Sequence, residues 1–414
     1  MDRSLTLINA QIQFLDTRLA LLHIPLHLYP HFIQPILQLL ALVGIDEPDE
    51  DGIPRRPWAF YYPFANISVT TIECSIVCPR HLVTELFSPI LCSLSPTAQS
   101  QVSISRDDFV VIAVGGEGTE AGQRVLDLTA PLALAGISIF FITSYYSDFV
   151  LVPLKARTTV ITALESQGFA FSPQPNGHSQ MTNISSPLHG HHHKKTSSSS
   201  TPSSNSGPNP FFQKSSPTTP PASTIEEWQS RTFALLRRTA IHPVLDTTLR
   251  LASAAAHRAD HATQARLMHH ITSCLITSPP PRFLSLTFSD TDSLSLTLDR
   301  DLLRRFPGSY EMGFKGSGDG YANGGGIGGS GAEVLLLSDE VTVPISLDLR
   351  DLPEESTGIV CGVAGRLLER MGGGGRRGVN ISYLSTVRAG NVLVGEEEVE
   401  EALEALREIE GGAC

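Results

Sequence analysis

Three groups of residues in the sequence have types and spacings that could carry out chemistry. They are a glycine cluster after an apolar run, a histidine pair and a cysteine pair, namely Gly115, Gly116 and Gly118, His257 and His261, and Cys74 and Cys78. Glycine clusters after a strand can bind dinucleotides, whereas closely spaced histidines or cysteines can hold metal ions. Each group has a function only if the rest of its pattern is present.

The rest of the pattern is missing in each case. The glycine spacing differs from GxGxxG and no acidic residue ends a second strand at a suitable distance, which favours a structural turn. Arg258 stands where the HExxH motif has its glutamate, which favours a solvated helix face for His257 and His261. Cys74 and Cys78 lack a second thiol pair, so we expect them in the core rather than at a zinc ion.

The sequence shows no serine–histidine–aspartate or cysteine–histidine arrangement and no carboxylate pair. A further histidine run, His191 to His193, lies in a Ser-rich segment where nothing would supply a rigid second shell for a metal. We therefore expect no catalytic residue, no metal and no cofactor, and we expect that the protein is not an enzyme.

Composition limits the class of partner. The chain has 414 residues, of which 41% are hydrophobic and 17% charged, so it can bury a core in several domains. Its formal net charge is −12 at pH 7. Nucleic-acid surfaces need clustered Lys and Arg to displace counterions, so we expect no DNA or RNA partner.

The compartment is inferred from cysteine usage and from the most apolar segment. Six cysteines are scattered through apolar runs rather than set at framework spacings, as expected for reduced thiols. The start of the chain does not have the pattern of a secretory signal. Prolines and histidines interrupt residues 19–45, which cannot form one unbroken membrane helix. We predict a cytoplasmic protein without a membrane partner.

One stretch of the chain occurs twice. Residues 137–152, ISIFFITSYYSDFVLV, recur in altered form at residues 379–394, VNISYLSTVRAGNVLV, with a constant offset of 242 positions. Each copy has an apolar run, a hydroxyl-rich bend and a second apolar run, which predicts a pair of strands. A repeat at this long period indicates a duplicated domain rather than a solenoid.

The elements around these copies predict an α+β fold of four tandem ACT-like domains, each with the βαββαβ order of ferredoxin-like folds, in two halves. A Ser- and Pro-rich segment that cannot bury much apolar area would join the halves as a disordered linker, and a Gly-rich mobile loop would follow the third domain. The predicted divisions are residues 1–100, 101–171, 172–225 (linker), 226–307, 308–333 (loop) and 334–414. In the third domain we predict a strand at residues 232–236 and a helix through residues 243–256.

Specific stretches resemble the CASTOR family of cytosolic arginine sensors, which act on TOR complex 1 through tandem ACT domains. The resemblance rests on AGISIFFITSYYSDFVLVP at residues 135–153, the helix before it, TGIVCGVAGRLLERM at residues 357–371 and ISYLST at residues 381–386. The N-terminal LTLINAQIQFLDTRLALLHIPLHLYPHFIQPILQLL is similar to that family's first ACT domain. The likeness covers most of the chain outside the linker and the two Gly-rich insertions.

This resemblance implies a non-enzymatic sensor that binds an amino acid between the second and fourth domains. The implied ligand contacts are Ser138, Ile139, Gly358, Ile359, Val360, Thr386, Val387, Ala389 and Gly390. Their types suit the task, because backbone amides in a Gly-containing turn before a helix can bind a carboxylate. Hydroxyls at Ser138 and Thr386 could then orient it.

The chain departs from the family at one implied contact. Gly390 stands where the arginine sensors have an aspartate, and Arg388 lies two residues earlier. A desolvated guanidinium without a charged partner would lose several kcal/mol of binding free energy, on the order of a broken interfacial charge pair. The ligand is therefore predicted as arginine or another amino acid, with loop acids Glu354 and Glu355 as alternative partners for a cation.

The resemblance also implies a protein partner. Tyr145, Tyr146 and Asp148 match family positions that contribute to binding a GATOR-type regulatory complex, although a solvated hairpin turn would favour the same residue types. A homodimer is left open. The alternative function is an ACT-fold scaffold that has lost ligand binding but keeps its partner surface.

Overall fold

The computed structural model describes nine stretches of the chain: residues 11–42, 63–115, 121–171, 224–256, 261–290, 292–306, 335–353, 356–372 and 381–407. The chain divides into two compact units, one of residues 1–172 with 221–414 and one of residues 173–220. All described residues belong to the first. Almost all of the predicted linker (172–225) and the whole of the predicted Gly-rich loop (308–333) lie outside the described residues.

Strands and helices alternate along the described chain. The strands are β1 (Gln11–Pro25), β2 (Phe64–Val69), β3 (Glu73–Pro79), β4 (Ser103–Ile104), β5 (Phe109–Gly115), β6 (Phe140–Thr143), β7 (Asp148–Pro153), β8 (Ala170–Phe171), β9 (Pro243–Leu245), β10 (Leu251–Ala256), β11 (Leu284–Ser289), β12 (Ser295–Asp299), β13 (Leu335–Asp348), β14 (Ile381–Ser385) and β15 (Ala389–Gly395). The helices are α1 (Tyr29–Leu42), α2 (Arg80–Leu82), α3 (Ser88–Ser93), α4 (Pro96–Gln99), α5 (Ala121–Leu134), α6 (Arg157–Glu165), α7 (Ile225–Arg238), α8 (His261–Leu275), α9 (Ile359–Met371) and α10 (Val399–Arg407). A π-helical turn joins α2 to α3, and short 3-10 turns follow β1, β7, β12 and β15.

The described strands form two hydrogen-bonded rows that share β1 and β13. The first row has the order β4-β1-β3-β2-β11-β12-β10-β13. The second has the order β8-β1-β5-β7-β6-β14-β15-β13-β9. Both shared strands are long enough to pair with one row along one half and with the other row along the other half.

Each half of the chain nests one group of elements inside another. In the first half, the later part of β1 is followed by α1, β2, β3, the short helices and β4, and together these elements form a βαββαβ group. Its strand order is β2-β3-β1-β4, the order of a ferredoxin-like fold. The group lies in the chain between the first part of β1 and β5. In the second half, β10, α8, β11, β12 and the first part of β13 repeat this plan. This group lies in the chain between β9 and the later part of β13. The strand β9, which falls in the predicted third domain, pairs with one edge of β13, and β15 pairs with the other edge. The division into four tandem domains stays a prediction.

Two secondary-structure predictions in the third domain are wrong. Residues 232–236 belong to helix α7. Thr224 caps this helix, because its Oγ1 accepts a hydrogen bond from the Glu227 amide at 3.2 Å. The sequence carries this capping signal three residues before Glu227. Residues 243–256 form β9 and β10 instead of a helix. The Ala-rich β10 is a strand because β12 and β13 pair with its two edges, and tertiary pairing overrides local propensity.

The apolar residues separate into layers. One cluster lies between the second row and α5, α6, α7, α9 and α10, and another lies between the first row and α1 and α8. A third cluster contains strand residues of both rows, including Phe64 and Phe149, whose ring centroids are 4.9 Å apart. In β5, alternate residues belong to the helix-side cluster and to this third cluster, the period of two expected of a strand buried on both faces. The second row is thus covered by helices on one face and by the third cluster on the other.

Candidate functional site

The two copies of the repeated stretch lie side by side in the second row. Copy one forms β6 and β7 and copy two forms β14 and β15, and the strand partners within each copy keep the offset of 242. The copies meet where β6 pairs antiparallel with β14. The Phe141 amide donates to Ser385 Oγ at 2.9 Å, and the Tyr383 amide donates to Thr143 Oγ1 at 3.1 Å. The pairing of β6 with β14 therefore joins the two copies directly, with Ser138 and Ile139 just before β6 and the implied contacts of the second copy after β14.

Ser138 lies at the start of helix α9. Its hydroxyl donates to the Ser356 carbonyl at 3.1 Å, in the loop that leads to Gly358. Gly358 is the residue before α9 and no side chain caps the helix in the described chain. Ile359 and Val360 are buried in the helix-side cluster, and Ile139 packs against it. The structure thus brings five of the nine predicted contacts, Ser138, Ile139 and residues 358–360, to one buried helix start, a place that favours an anion.

Helix α7 determines the conformation of this helix start. Gly358 has φ +74°, and a Cβ there would lie 2.5 Å from the Trp228 ring. The Thr232 hydroxyl donates to the Gly358 carbonyl at 3.1 Å. Sequence reasoning missed both residues because it assigned residues 232–236 to a strand. The helical capping signal before Trp228 would have placed Trp228 and Thr232 on one helix face.

Thr386 and Val387 form the turn between β14 and β15, and this turn contacts the first row. The Thr386 hydroxyl, which is buried, donates to Glu73 Oε1 at 2.6 Å. The Val387 amide donates to Ser75 Oγ at 3.2 Å, and the Arg388 amide donates to Glu73 Oε1 at 2.6 Å. The predicted ligand hydroxyl of Thr386 is therefore engaged by a protein carboxylate that sequence reasoning did not single out.

Ala389 and Gly390 begin β15, where Gly390 pairs with Ser385 and Leu347. Ala389 is buried in the strand. A Cβ on Gly390 would lie 2.6 Å from Tyr383 Oη. This hydroxyl is buried and has no hydrogen-bond partner in the described part of the chain, and burial raises its pKa, so it remains a neutral phenol. The absence of a side chain at Gly390 has a local physical reason, namely the room that Tyr383 needs.

The three residues predicted to bind a protein partner do not share a surface. Asp148 is 1% exposed and pairs with Arg124 at 2.5 Å on the helix side of the second row. Burial raises the pKa of Asp148, and Arg124 and Thr143 oppose that increase. Tyr146 is 49% exposed and its ring contacts Tyr145 edge to face. In this structure a partner can reach Tyr146, whereas Asp148 is buried in the interior.

The remaining candidates for chemistry are placed as follows. Cys74 and Cys78 are buried free thiols on one face of β3, as predicted, and burial raises the pKa of Cys78 to about 12. His257 lies outside the described residues. Across the nine described stretches no group of three or more His, Cys, Asp or Glu side chains could hold a metal ion. Over the same residues no helix is both long and apolar enough to span a bilayer.

Comparison with known families finds an ACT domain at residues 104–166, which run from β4 through α6. Curated proteins give no match. Solved structures give matches to aspartate kinases at low identity. The Synechocystis aspartate kinase is 10% identical over 96% of this chain and 55% of that chain, with a TM-score of 0.30. The chain thus spans about half the length of that kinase.

Two further solved structures match a smaller part of the chain. The regulatory subunit of aspartate kinase from Thermus thermophilus is 14% identical over 39% of this chain and 99% of that chain, with a TM-score of 0.24. A putative C-terminal regulatory domain of aspartate kinase from Porphyromonas gingivalis is 13% identical over 39% and 96%, also with a TM-score of 0.24. The chain is thus a mixed helix and strand protein that contains an ACT domain.

Proposed function

We propose that the protein is a non-enzymatic amino-acid sensor of the CASTOR type, which couples a ligand such as arginine to TOR complex 1 signalling. The ACT domain at residues 104–166 supports the general class, because ACT domains are regulatory modules that bind amino acids. The ligand would bind between the second and fourth predicted domains. Occupancy would then shift the packing of these domains, which requires different ligand affinities in the two states.

One observation carries this proposal: β6 pairs with β14 and Ser138 reaches the loop before α9. The amino end of a helix presents backbone N–H groups and a partial positive charge, which together favour a carboxylate. Every amino acid has a carboxylate, so this end of the site defines the class of ligand. The side chain of the ligand would extend toward Gly390.

The surroundings of Gly390 favour an uncharged ligand side chain over arginine. The nearest polar atom to a Cβ at Gly390 is the neutral Tyr383 hydroxyl. Of the acidic side chains nearby, Glu73 accepts hydrogen bonds from the turn and Asp348 pairs with Arg350. Glu354 and Glu355 lie outside the described residues. Arginine remains one of the ligands to test, beside neutral amino acids.

Titration calorimetry with each of the twenty amino acids in turn tests the proposal. The wild-type protein should bind at least one of them, and Ser138→Ala should bind it about fivefold more weakly, because one hydrogen bond contributes roughly 1 kcal/mol. Ser166→Ala is the matched control, since its exposed hydroxyl bonds the Ala163 carbonyl at the end of α6. A wild-type protein that binds none of the twenty contradicts the proposal.

A second candidate is an ACT-fold scaffold that keeps a GATOR-type protein partner without binding an amino acid. Two observations favour it: Tyr383 occupies the room beside Gly390, and the Thr386 hydroxyl is already engaged by Glu73. Pull-down of such a regulatory complex with and without amino acids separates the candidates. A scaffold gives equal capture in both conditions, lost in Tyr146→Ala, whereas a sensor gives capture that changes with the ligand.

The absence of enzymatic activity and the cytoplasmic location also belong to this proposal. Turnover of an amino acid or nucleotide by the purified chain, under conditions where calorimetry shows binding, would contradict the first. Fractionation of cells that express the full chain tests the second.

A further inference from the structure

The buried carboxylate of Glu73 lies at a junction between the two halves of the chain. Glu73 begins β3 in the first half and is 0% exposed. Its Oε1 accepts hydrogen bonds from the Thr386 hydroxyl and from the Arg388 amide, both at 2.6 Å. Its Oε2 lies 2.5 Å from His23 Nδ1 on β1. One side chain of the first half thus holds two groups of the β14–β15 turn.

This turn carries four of the predicted ligand contacts, Thr386, Val387, Ala389 and Gly390. The Thr386 amide also donates to the Ala389 carbonyl at 2.8 Å, so the position of the turn determines where β15 begins. The Arg388 carbonyl accepts the Leu349 amide at 2.8 Å, in the loop between β13 and α9. The turn held by Glu73 is therefore hydrogen-bonded both to the first residue of β15 and to the loop that follows β13.

The turn of the first copy is also contacted by a strand of the first row. The turn of the first copy makes an equivalent contact, in which the Tyr145 amide donates to Ser295 Oγ at 2.8 Å. Ser75 pairs with His23 across β3 and β1, whereas Ser295 pairs with Ala255 across β12 and β10. The first copy thus keeps the serine contact, but an alanine stands in place of His23.

Burying a carboxylate is unfavourable unless hydrogen bonds compensate for lost water, and here three groups surround it. The equivalent turn of the first copy is contacted through a serine hydroxyl, whereas the β14–β15 turn is contacted by both a serine hydroxyl and a carboxylate. A carboxylate with two acceptor contacts on one turn restricts that turn more than one hydroxyl does. Restricting a binding loop before the ligand arrives raises affinity.

We propose that Glu73 is a positioning residue for the ligand site: it holds the Thr386–Arg388 turn so that β15 and the loop before α9 are ordered for the amino acid. The proposal rests on the proposed function. Glu73 acts through the turn and does not touch the ligand. The amino-acid affinity of the second half therefore depends on a side chain of the first half.

The test measures dissociation constants by calorimetry in the full chain, with whichever of the twenty amino acids binds wild type most tightly. Glu73→Asp keeps the charge but withdraws the carboxylate by one methylene, and we expect binding about tenfold weaker. Glu73→Gln keeps the length and one acceptor oxygen, so it should bind within about threefold of wild type. Ser295→Ala removes the equivalent contact in the first copy and should leave the affinity unchanged.

A second measurement remains informative if Glu73→Asp folds poorly. Hydrogen exchange of the Val387 and Arg388 amides, in wild type and in the milder Ser75→Ala, reports whether the turn is held before ligand is added. Slow exchange in wild type and faster exchange in Ser75→Ala, together with weaker binding, are expected. The positioning role is overturned if Glu73→Asp and Ser75→Ala both bind as tightly as wild type, or if Ser295→Ala loses as much affinity as they do. Absence of binding by wild type instead overturns the proposed function.

Discussion

The two copies of the repeated stretch occupy equivalent places in the second row, yet they bury different polar groups. In the first copy Asp148 begins β7 and pairs with Arg124 of α5. In the second copy the equivalent position is Gly390, and the phenol of Tyr383 lies against it. The residue equivalent to Tyr383 is Phe141. One copy therefore contains a buried ion pair, and the other a neutral hydroxyl without a protein partner among the described residues.

This difference separates structural duties from binding duties. Arg124 pairs with one oxygen of the Asp148 carboxylate, so the buried charge of the first copy has a partner of opposite charge within the protein. A buried hydroxyl without a partner is unfavourable unless another molecule bonds it. The duplicated hairpin thus has one copy whose buried charge is paired with a cation of the protein and one copy that keeps a buried hydroxyl without a hydrogen-bond partner among the described residues.

The largest effect is expected from Arg124→Met. Removing the cation leaves Asp148 buried without its charged partner, which should reduce the free energy of unfolding by about 3 to 5 kcal/mol at neutral pH. Urea denaturation measures it. Arg124→Met with Asp148→Asn is the matched control and should recover much of the loss. An unchanged stability in Arg124→Met would show that the first copy is not held by this pair.

The deficit of Arg124→Met should depend on pH with a defined sign. Burial raises the pKa of Asp148 in the folded state, so the folded state binds the proton more tightly than the unfolded state. Stability linked to this group is therefore present at low pH and lost as pH rises from the unfolded pKa through the folded pKa. Removing Arg124 widens that window, so the variant should approach wild type on acidification. A deficit that grows with acid contradicts this assignment.

Gly358→Ala should destabilise by about 2 to 4 kcal/mol, through strain at positive φ and contact with Trp228. Gly136→Ala is the control, because Gly136 has φ +69° but a Cβ there would have no atom within 4 Å. The control should lose only about 1 kcal/mol. Thermal or urea unfolding gives the loss of unfolding free energy in each variant. The difference between the two losses is the contribution of the clash with Trp228 of α7. Equal losses would mean that Trp228 moves aside freely.

Gly390→Ala should cost about 1 to 3 kcal/mol, because its Cβ meets the Tyr383 hydroxyl. Adding Tyr383→Phe removes that oxygen and leaves the nearest ring carbon at 3.4 Å, an ordinary contact. The double variant should then be more stable than Gly390→Ala alone, with a coupling of about 1 kcal/mol or more in a double-mutant cycle. Additive effects would break the proposed link between the two residues.

Tyr383→Phe alone should have the smallest effect on the free protein. It makes the second copy resemble the first, and deleting an unpaired buried hydroxyl is expected to be neutral or stabilising by up to about 1 kcal/mol. Amino-acid binding should weaken in the same variant if the hydroxyl bonds the ligand. Unfolding measured with and without the bound amino acid separates the two contributions.

Much of the fold could be predicted from local patterns. Continuous apolar runs predict strands that the structure confirms as β5 and β6, and the helical spacing of Val360, Val363 and Leu367 predicts α9. The predicted strand at residues 232–236 is wrong, because Thr224 caps a helix that contains these residues. The Ala-rich segment at β10 failed for the opposite reason, since its strand conformation depends on partners on both edges.

The candidate site was predictable only in part. The resemblance carried Ser138 and Gly358, which the structure brings to one helix start, and it carried Thr386 and Gly390. Whether these residues bind a ligand stays a prediction. Glu73 could not be found from the sequence, because an isolated glutamate before a strand normally indicates a solvated residue. Its importance depends on a turn more than three hundred positions later.

The sequence by itself determined the duplicated hairpin, the periods of most strands and helices, and the presence of an ACT domain, because these properties depend on neighbouring residues and on one long repeat. Only the tertiary structure decided which polar groups compensate one another. Asp148 meets Arg124, Gly390 makes room for Tyr383, and Glu73 holds the turn after β14. These contacts depend on strand order and on how the two rows share β1 and β13, and free energies of burial are defined only once those neighbours are in place.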